Sequence, residues 1–338
     1  MLKIAALVTA LLTLAPAAMA DPPSGAGLKV VAHIPGPDGG WDYASFDAAR
    51  RRVYIAHGTV VLSLDVDSGK LNPAFAAGAG LHAVLPIPGS NDILTTNSGD
   101  KTAKIISATD GKLIASLTVA DDADAAVYDP STKLAVVVNG DQGLLTLVNV
   151  AARKVEGTIQ VGGGLEFAAV DGKGRLFVNI ADKGQIAVVD LKARKVLATW
   201  PMNGCVRPTG LAYVEGGRLI SSCGASLNAK ILDAADGKEI ASLTIGGFPD
   251  AVIYDSARHV ALIPTARDGA LWVIGLTGAA SNTMIESVPT QIGARTGAVD
   301  LKTGRVYLPT AEYNLPVPAG QRPTTKPGTF QILVLDRK

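Results

Sequence analysis

Residues 164–200 read GLEFAAVDGKGRLFVNIADKGQIAVVDLKARKVLATW. Four apolar runs, LEFAAV, LFVNI, IAVVDL and VLATW, alternate with DGKG, ADKG and KARK, so the segment reads as four short β-strands joined by three turns. Four such strands bury little by themselves, which makes repetition the first thing to look for. The same plan recurs in WDYASFDAARRRVYIAHGTVVLSLDVDSGK, GLHAVLPIPGSNDILTTNSGDKTAKIISATDGKLIASLTV and DADAAVYDPSTKLAVVVNGDQGLLTLVNVAARKVEGTIQV. It returns again in RPTGLAYVEGGRLISSCGASLNAKILDAADGKEIASLTI, FPDAVIYDSARHVALIPTARDGALWVIGL and a last unit from ARTGAVDLKTGRVYLPTAE to TFQILVLDRK. The acidic residues that close the first strand of a unit, Asp129, Asp171, Glu215, Asp255 and Asp300, stand 42, 44, 40 and 45 positions apart. Four-stranded units of about 40 to 50 residues are propeller blades.

The last unit holds three strands, and LKVVAHIPG (Leu28–Gly36) precedes the first complete one. The expected fold is all-β: a seven-bladed β-propeller with four-stranded blades, its ring closed by the N-terminal strand joining the last blade. Such a closure hides sheet edges that would otherwise pair with other chains.

The first twenty residues, MLKIAALVTALLTLAPAAMA, place Lys3 before a short apolar run and end on Ala18-Met19-Ala20, the pattern of a cleaved secretory signal. Residues 1–20 are therefore expected to be a signal peptide and 21–338 a single propeller domain, exported to the periplasm. No later stretch approaches the roughly 20 apolar residues of a membrane helix. Lysine and arginine number 31 against 30 acidic residues, and Lys3 is the only charge in the leader, so the mature chain is balanced. A polyanion binder carries a basic excess or stripe, and a base-stacking surface needs aromatics, which make up 5% here. Nucleic acid is not the expected partner. The two cysteines, Cys205 and Cys223, read as a disulfide in an oxidising compartment.

The segments VYIAHG, LTTNSGD, VVVNGDQG and FVNIADKG, with LLTLVNV and IAVVDLKARKV downstream, resemble the YVTN-repeat propellers, and among them the periplasmic YncE-like proteins. The resemblance runs from about residue 28 to the end. It implies an exported seven-bladed propeller and carries no agreed activity, because propellers host binding, scaffolding and several chemistries. Nucleic-acid binding is associated with YncE-like proteins; the charge balance argues against it here.

In a propeller the first strand of each blade lines the central channel, so equivalent positions at its start form a ring at one mouth. Glu166 lies ten residues before Leu176, the first apolar residue of the next strand. The same count from Leu134, Leu219 and Val260 gives Asp124, Thr209 and Asp250; in blades with one more turn residue, eleven back from Val53, Ile93 and Val306 gives Asp42, His82 and Arg295. Seven polar residues thus converge on a candidate ligand-binding ring. Its acids and imidazole, Asp124, Glu166, Asp250 and His82, are the metal candidates, since hard cations such as calcium take carboxylate oxygens and an imidazole also suits a transition metal. Crowded acids should raise each other's pKa values. A water-filled channel also needs polar lining, and an Asp at a loop-strand junction often bonds only backbone. The turn acids Asp129, Asp171, Asp255 and Asp300 are read as structural.

The loop of the last blade, 311–329, swells to AEYNLPVPAGQRPTTKPGT and lies on the same face, with Glu312, Tyr313 and Arg322 as candidate contacts. A proline-rich insertion there is a lid, a partner-docking arm or a passive surface loop. Trp41 and Tyr43 beside Asp42 are accessory candidates for stacking on a ligand, with blade packing as their other use. No GxSxG, HExxH or Walker-type loop occurs.

Two functions follow. The first is a monomeric periplasmic binding or interaction protein holding a small ligand, a cation or a protein partner at the mouth. The second is a metal-dependent lactonase or other hydrolase, because gluconolactonase-type propellers use a carboxylate-lined mouth; this chain lacks the asparagine pair that accompanies their acidic ligands.

Overall fold

The protein is described by a computed structural model covering residues 27–278, 281–314 and 323–337. The expected leader, 1–20, and Arg322 lie outside these residues. Among the described residues the long regular elements are strands, with a three-residue 3-10 turn at Ala181–Lys183, as the β-branched runs and DG-type turns require. They form five four-stranded sheets and one six-stranded sheet, all antiparallel.

The turn acids do what their positions suggest. Asp129 accepts from the Thr132 amide and the hydroxyls of Ser131 and Thr132, Asp171 from the Lys173 and Arg175 amides, and Asp300 from the Lys302 amide and the Thr303 hydroxyl. Each closes its hairpin with a local side-chain bond that a fully apolar turn would lack.

The strands Ala44–Asp47, Leu71–Pro86, Ala123–Asp129, Leu165–Val170, Pro208–Val214, Ile253–Asp255 and Ala298–Val299 touch one another in that order, and the last touches the first. They surround a central axis, with the sheets radiating outward as propeller blades. Middle strands are covered on both faces: every residue of Leu134–Asn139 and of Val260–Thr265 is buried, which is why they read as continuous apolar runs rather than alternating ones. Outer strands such as Leu113–Thr118 and Glu239–Thr244 are largely solvent-facing. The core lies between adjacent sheets. One cluster, for example, carries Leu94, Val136, Leu147, Val178 and Val189 from three successive sheets.

The strand Leu28–Pro35 pairs antiparallel with Gln331–Arg337, from Leu28 opposite Arg337 to Pro35 opposite Gln331. It thereby shares a sheet with Val306–Thr310 and Ala298–Val299. In the six-stranded sheet the long strands Arg52–Asp65 and Leu71–Pro86 each bend at a glycine of positive φ, Gly58 at 58° and Gly80 at 59°. At Gly80 no side chain fits: a Cβ there would meet the Ser98 hydroxyl at 2.9 Å and the Gly99 nitrogen at 3.0 Å.

Cys205 and Cys223 form a disulfide with Cα atoms 5.3 Å apart, joining the segment before Pro208–Val214 to the end of Arg218–Cys223. A bridge closing so short a loop is worth about 3 kcal/mol in the chain-entropy picture. The double variant Cys205→Ser, Cys223→Ser should therefore unfold in urea with a free energy lower by about 3 kcal/mol; equal midpoints for the variant and the oxidised parent would contradict it.

Candidate ligand site at the channel mouth

The residues at and just before the starts of the inner strands are stitched to their neighbours by side chains, two of them from second strands and one from the segment before Ala298–Val299. The Thr96 hydroxyl donates to the Asp124 carbonyl, the Asn179 amide to the Thr209 carbonyl, and the Thr296 hydroxyl to the Asp42 carbonyl. The Tyr43 amide donates to the His82 carbonyl, and the Asp250 amide to the Arg295 carbonyl. This brings the seven counted residues to one end of the axis, where they divide into three groups.

In the first, His82 Nδ1 lies 2.6 Å from Asp42 Oδ2 and 3.4 Å from Asp124 Oδ1. Asp42, His82 and Asp124 offer donor atoms that all lie within 4.8 Å of one another, a set able to hold a cation. Glu166 and Asp250 stand outside this set, and Asp42 joins it. The bond to Asp42 raises the His82 pKa to about 9 against the opposing effect of burial. Burial, then the charge of Asp42, lifts the Asp124 carboxyl well above its usual range. At neutral pH the imidazolium therefore occupies the place of a cation, and a metal must displace its proton.

In the second group Arg295 Nε donates to Asp250 at 3.0 Å, its Nη2 donates to the Trp41 carbonyl at 2.6 Å, and the guanidinium stands 4.0 Å from Asp42. It also lies over the Trp41 ring, 5.5 Å from the centroid. Burial and then Asp42 push Asp250 up to about 6, opposed by Arg295.

The third group surrounds a cavity of about 240 Å³ lined by Glu166, Arg207, Thr209, Phe248, Asp250 and Arg295, among others. Glu166 has no hydrogen bond or ion pair among the described residues, and burial, followed by the charge of Asp250, raises it to about 7. Thr209 turns its hydroxyl to the Pro249 carbonyl at 2.7 Å and offers the cavity little polarity.

Trp41 and Tyr43 are buried, at 5% and 6% exposure. Trp41 packs on Phe330, with ring centroids 5.5 Å apart, and on Tyr313 at 6.3 Å. Tyr43 meets Phe167 at 4.9 Å, and the pair separates the polar mouth from cavities farther along the axis. Of the mouth loop, Glu312 is bound to Lys326 at 3.0 Å, and Tyr313 bridges to Thr325 while covering Trp41. The loop base therefore satisfies its own charge.

Counting along strands missed several residues. Ser98 lies 3.0 Å from His82 Nε2, completing the connectivity of a hydrolase triad with Asp42. The charged imidazole, however, has a proton on Nε2 to donate, and the Ser98 hydroxyl has the Gly80 carbonyl 3.2 Å away as its own acceptor. The serine thus relays a hydrogen bond and is not activated as a nucleophile at neutral pH. Phe167, Arg207 and Phe248 were missed as well; the last two stand two residues before ring positions, a register the count itself could have flagged.

The pKa directions give stability a sign. Groups raised on folding, His82 to about 9, Glu166 to about 7 and Asp250 to about 6, contribute most below their unfolded values and lose that contribution as pH rises through the folded ones. Turn acids lowered on folding, such as Asp171 and Asp300, lose theirs in acid. Unfolding free energy should therefore peak near about pH 5 and fall by roughly 2 kcal/mol or more by pH 9. Urea titrations at pH 3, 5, 7 and 9 check this; stability rising from pH 5 to pH 9 would show the ring to be relaxed rather than crowded.

No family model and no curated protein sequence matches the chain. Solved structures do. A chain of the mitotic checkpoint complex superposes with a TM-score of 0.74 at 14% identity, covering 90% of this chain and 95% of that one. A chain of Kuenenia stuttgartiensis hydrazine synthase gives 0.70 at 14% identity, covering 81% and 92%. At such identity the likeness shows the fold alone, a β-propeller. No helix of the described residues is long and apolar enough to cross a membrane.

Proposed function

We propose that this chain is an exported, YncE-like propeller that binds a small ligand or a periplasmic protein at its channel mouth. The six-stranded sheet is read as two blades fused through the bends at Gly58 and Gly80, giving seven blades, with Leu28–Pro35 closing the ring as the outer strand of the last. The Cys205–Cys223 disulfide supports an oxidising compartment. One observation carries the binding reading: the mouth gathers partly buried charges that mostly neutralise one another, yet leaves Glu166 beside an open cavity without a partner among the described residues. Convergent polar groups around a concavity are the usual mark of a ligand site. Native mass spectrometry of protein taken from the periplasm should show a bound species that the Glu166→Ala, Asp250→Ala double variant lacks. Identical spectra would remove the mouth from consideration.

The second reading, a metal-dependent lactonase or other hydrolase, is favoured by the three-donor set of Asp42, His82 and Asp124. These residues would hold the ion, which would supply Lewis-acid activation of a carbonyl. Titration with calcium, zinc and copper tests it, with affinity expected to rise with pH as His82 loses its proton; no binding up to pH 9 would overturn it.

A further inference from the structure

Two residues before His82, Asp124, Thr209, Asp250 and Arg295 the backbone passes through positive φ, at Gly80 (59°), Asp122 (53°), Arg207 (54°), Phe248 (55°) and Gly293 (101°). The bend aims the ring residue at the mouth. Glycine adopts it freely, whereas an L side chain is strained there, and Asp or Asn tolerate it best. Glycine is enforced at Gly80 and Gly293, where a Cβ would strike the Ser98 hydroxyl or the Tyr313 ring. Asp122 has a local reason, since its carboxylate accepts from the Asp141 amide at 2.9 Å.

Arg207 and Phe248 lack such a bond, and since turn residues such as Lys133, Arg153 and Arg194 share the same φ, what sets these two apart is the cavity they face. The Arg207 guanidinium makes no hydrogen bond or ion pair among the described residues, and Phe248 is 54% exposed, with only the Arg267 guanidinium 4.5 Å over its ring. Both line the 240 Å³ cavity.

The cavity's charges sort themselves. Arg295 and Asp250 are bonded to each other at 3.0 Å. Arg207 and Glu166 are left over: Arg207 draws the Glu166 carboxyl downward, so each feels the other's charge, but they form no ion pair within 4.0 Å. Opposite charges held apart across a gap, beside an exposed aromatic face, match a molecule carrying both signs and an apolar group. The volume lies below the roughly 300–1,000 Å³ of drug-sized pockets.

Resting on the mouth-binding reading, we infer that this cavity takes a small zwitterion, an α-amino acid with an apolar side chain. Its carboxylate lies on Arg207, its ammonium on Glu166 and its side chain against Phe248. A guanidinium meets a carboxylate in two parallel hydrogen bonds, which gives orientation as well as affinity.

Isothermal titration at pH 8 with L-leucine and L-phenylalanine, against N-acetyl-leucine and leucinamide, tests this. The free amino acids should bind, and blocking either end should weaken binding at least tenfold. Arg207→Gly should weaken it at least tenfold while leaving the melting temperature unchanged or higher, because glycine relieves the backbone; Arg207→Asn, which also tolerates the bend, serves if the glycine variant folds poorly. Binding should also weaken from pH 8 to pH 6 as Glu166 takes up a proton. No binding of either amino acid, or equal binding by the blocked compounds or by Arg207→Gly, overturns the inference. If that happens while the periplasmic protein still carries a species lost in the Glu166→Ala, Asp250→Ala variant, the mouth-binding reading stands and only the ligand class falls.

Discussion

Arg295→Ala is expected to lower the unfolding free energy by about 2–3 kcal/mol at pH 8, somewhat less than the cost of removing one partner from a fully buried ion pair, because Arg295 and Asp250 are partly exposed. The guanidinium does three things at once. It neutralises Asp250 through the 3.0 Å bond, faces Asp42 at 4.0 Å, and satisfies the Trp41 carbonyl at 2.6 Å. Alanine leaves Asp250, already pushed up to about 6 by burial and Asp42, without its main counter-charge. The penalty must therefore depend on pH: small near pH 4, where Asp250 can take up a proton, and full above its raised pKa. Arg295→Lys should restore only part of the loss, since a single ammonium cannot reach Asp250 and the Trp41 carbonyl in the same fork geometry. Urea titrations of the parent and both variants at pH 4 and pH 8 give the four differences needed. A loss equal at both pH values would mean that Arg295 contributes packing over Trp41 and not charge.

The same residue illustrates what a sequence can and cannot carry. The register of turn acids and apolar runs placed Arg295 at a mouth position because strand period and hairpin length are local properties, written in residues a few positions apart. All-β architecture, the sheet-forming segments, the structural turn acids and the Cys205–Cys223 pairing were legible on that basis. Counting along a strand gives height on the axis, however, and says nothing about rotamers. It could not tell that Thr209 would spend its hydroxyl on the Pro249 carbonyl, that Glu312 would turn to Lys326, or that Asp42 would join His82 and Asp124 in place of Glu166 and Asp250. Those outcomes are decided by contacts between residues some 14 to 40 positions apart. His57 is a related case. It is 4% exposed and edge-on to Phe330 at 4.7 Å inside the long strand Arg52–Asp65, a packing set by a residue far off in the chain.

The channel plug makes the other large prediction. Tyr43→Ala should cost about 3 kcal/mol or more, in the range for removing a buried aromatic side chain, while Tyr43→Phe should be nearly neutral. The contrast follows from what surrounds the ring. Tyr43 is 6% exposed and packs against Phe167 at 4.9 Å, a contact that adds to area burial. Its hydroxyl has no hydrogen-bond partner among the described residues. Burial, then the charges of Asp124, Asp250, Asp42 and Glu166, hold the phenol firmly neutral. Losing the hydroxyl therefore breaks no bond, whereas losing the ring joins the polar mouth to the apolar cavities of about 310 and 370 Å³ that both Tyr43 and Phe167 line. Water entering from the far side would then reach the carboxylates and relieve their desolvation. Glu166 should fall from about 7 toward its ordinary value in Tyr43→Ala and stay near 7 in Tyr43→Phe, as read by carboxyl NMR titration. If both variants titrate like the parent, the dryness that tunes Glu166 comes from the walls of its own cavity, and the aromatic pair serves packing alone.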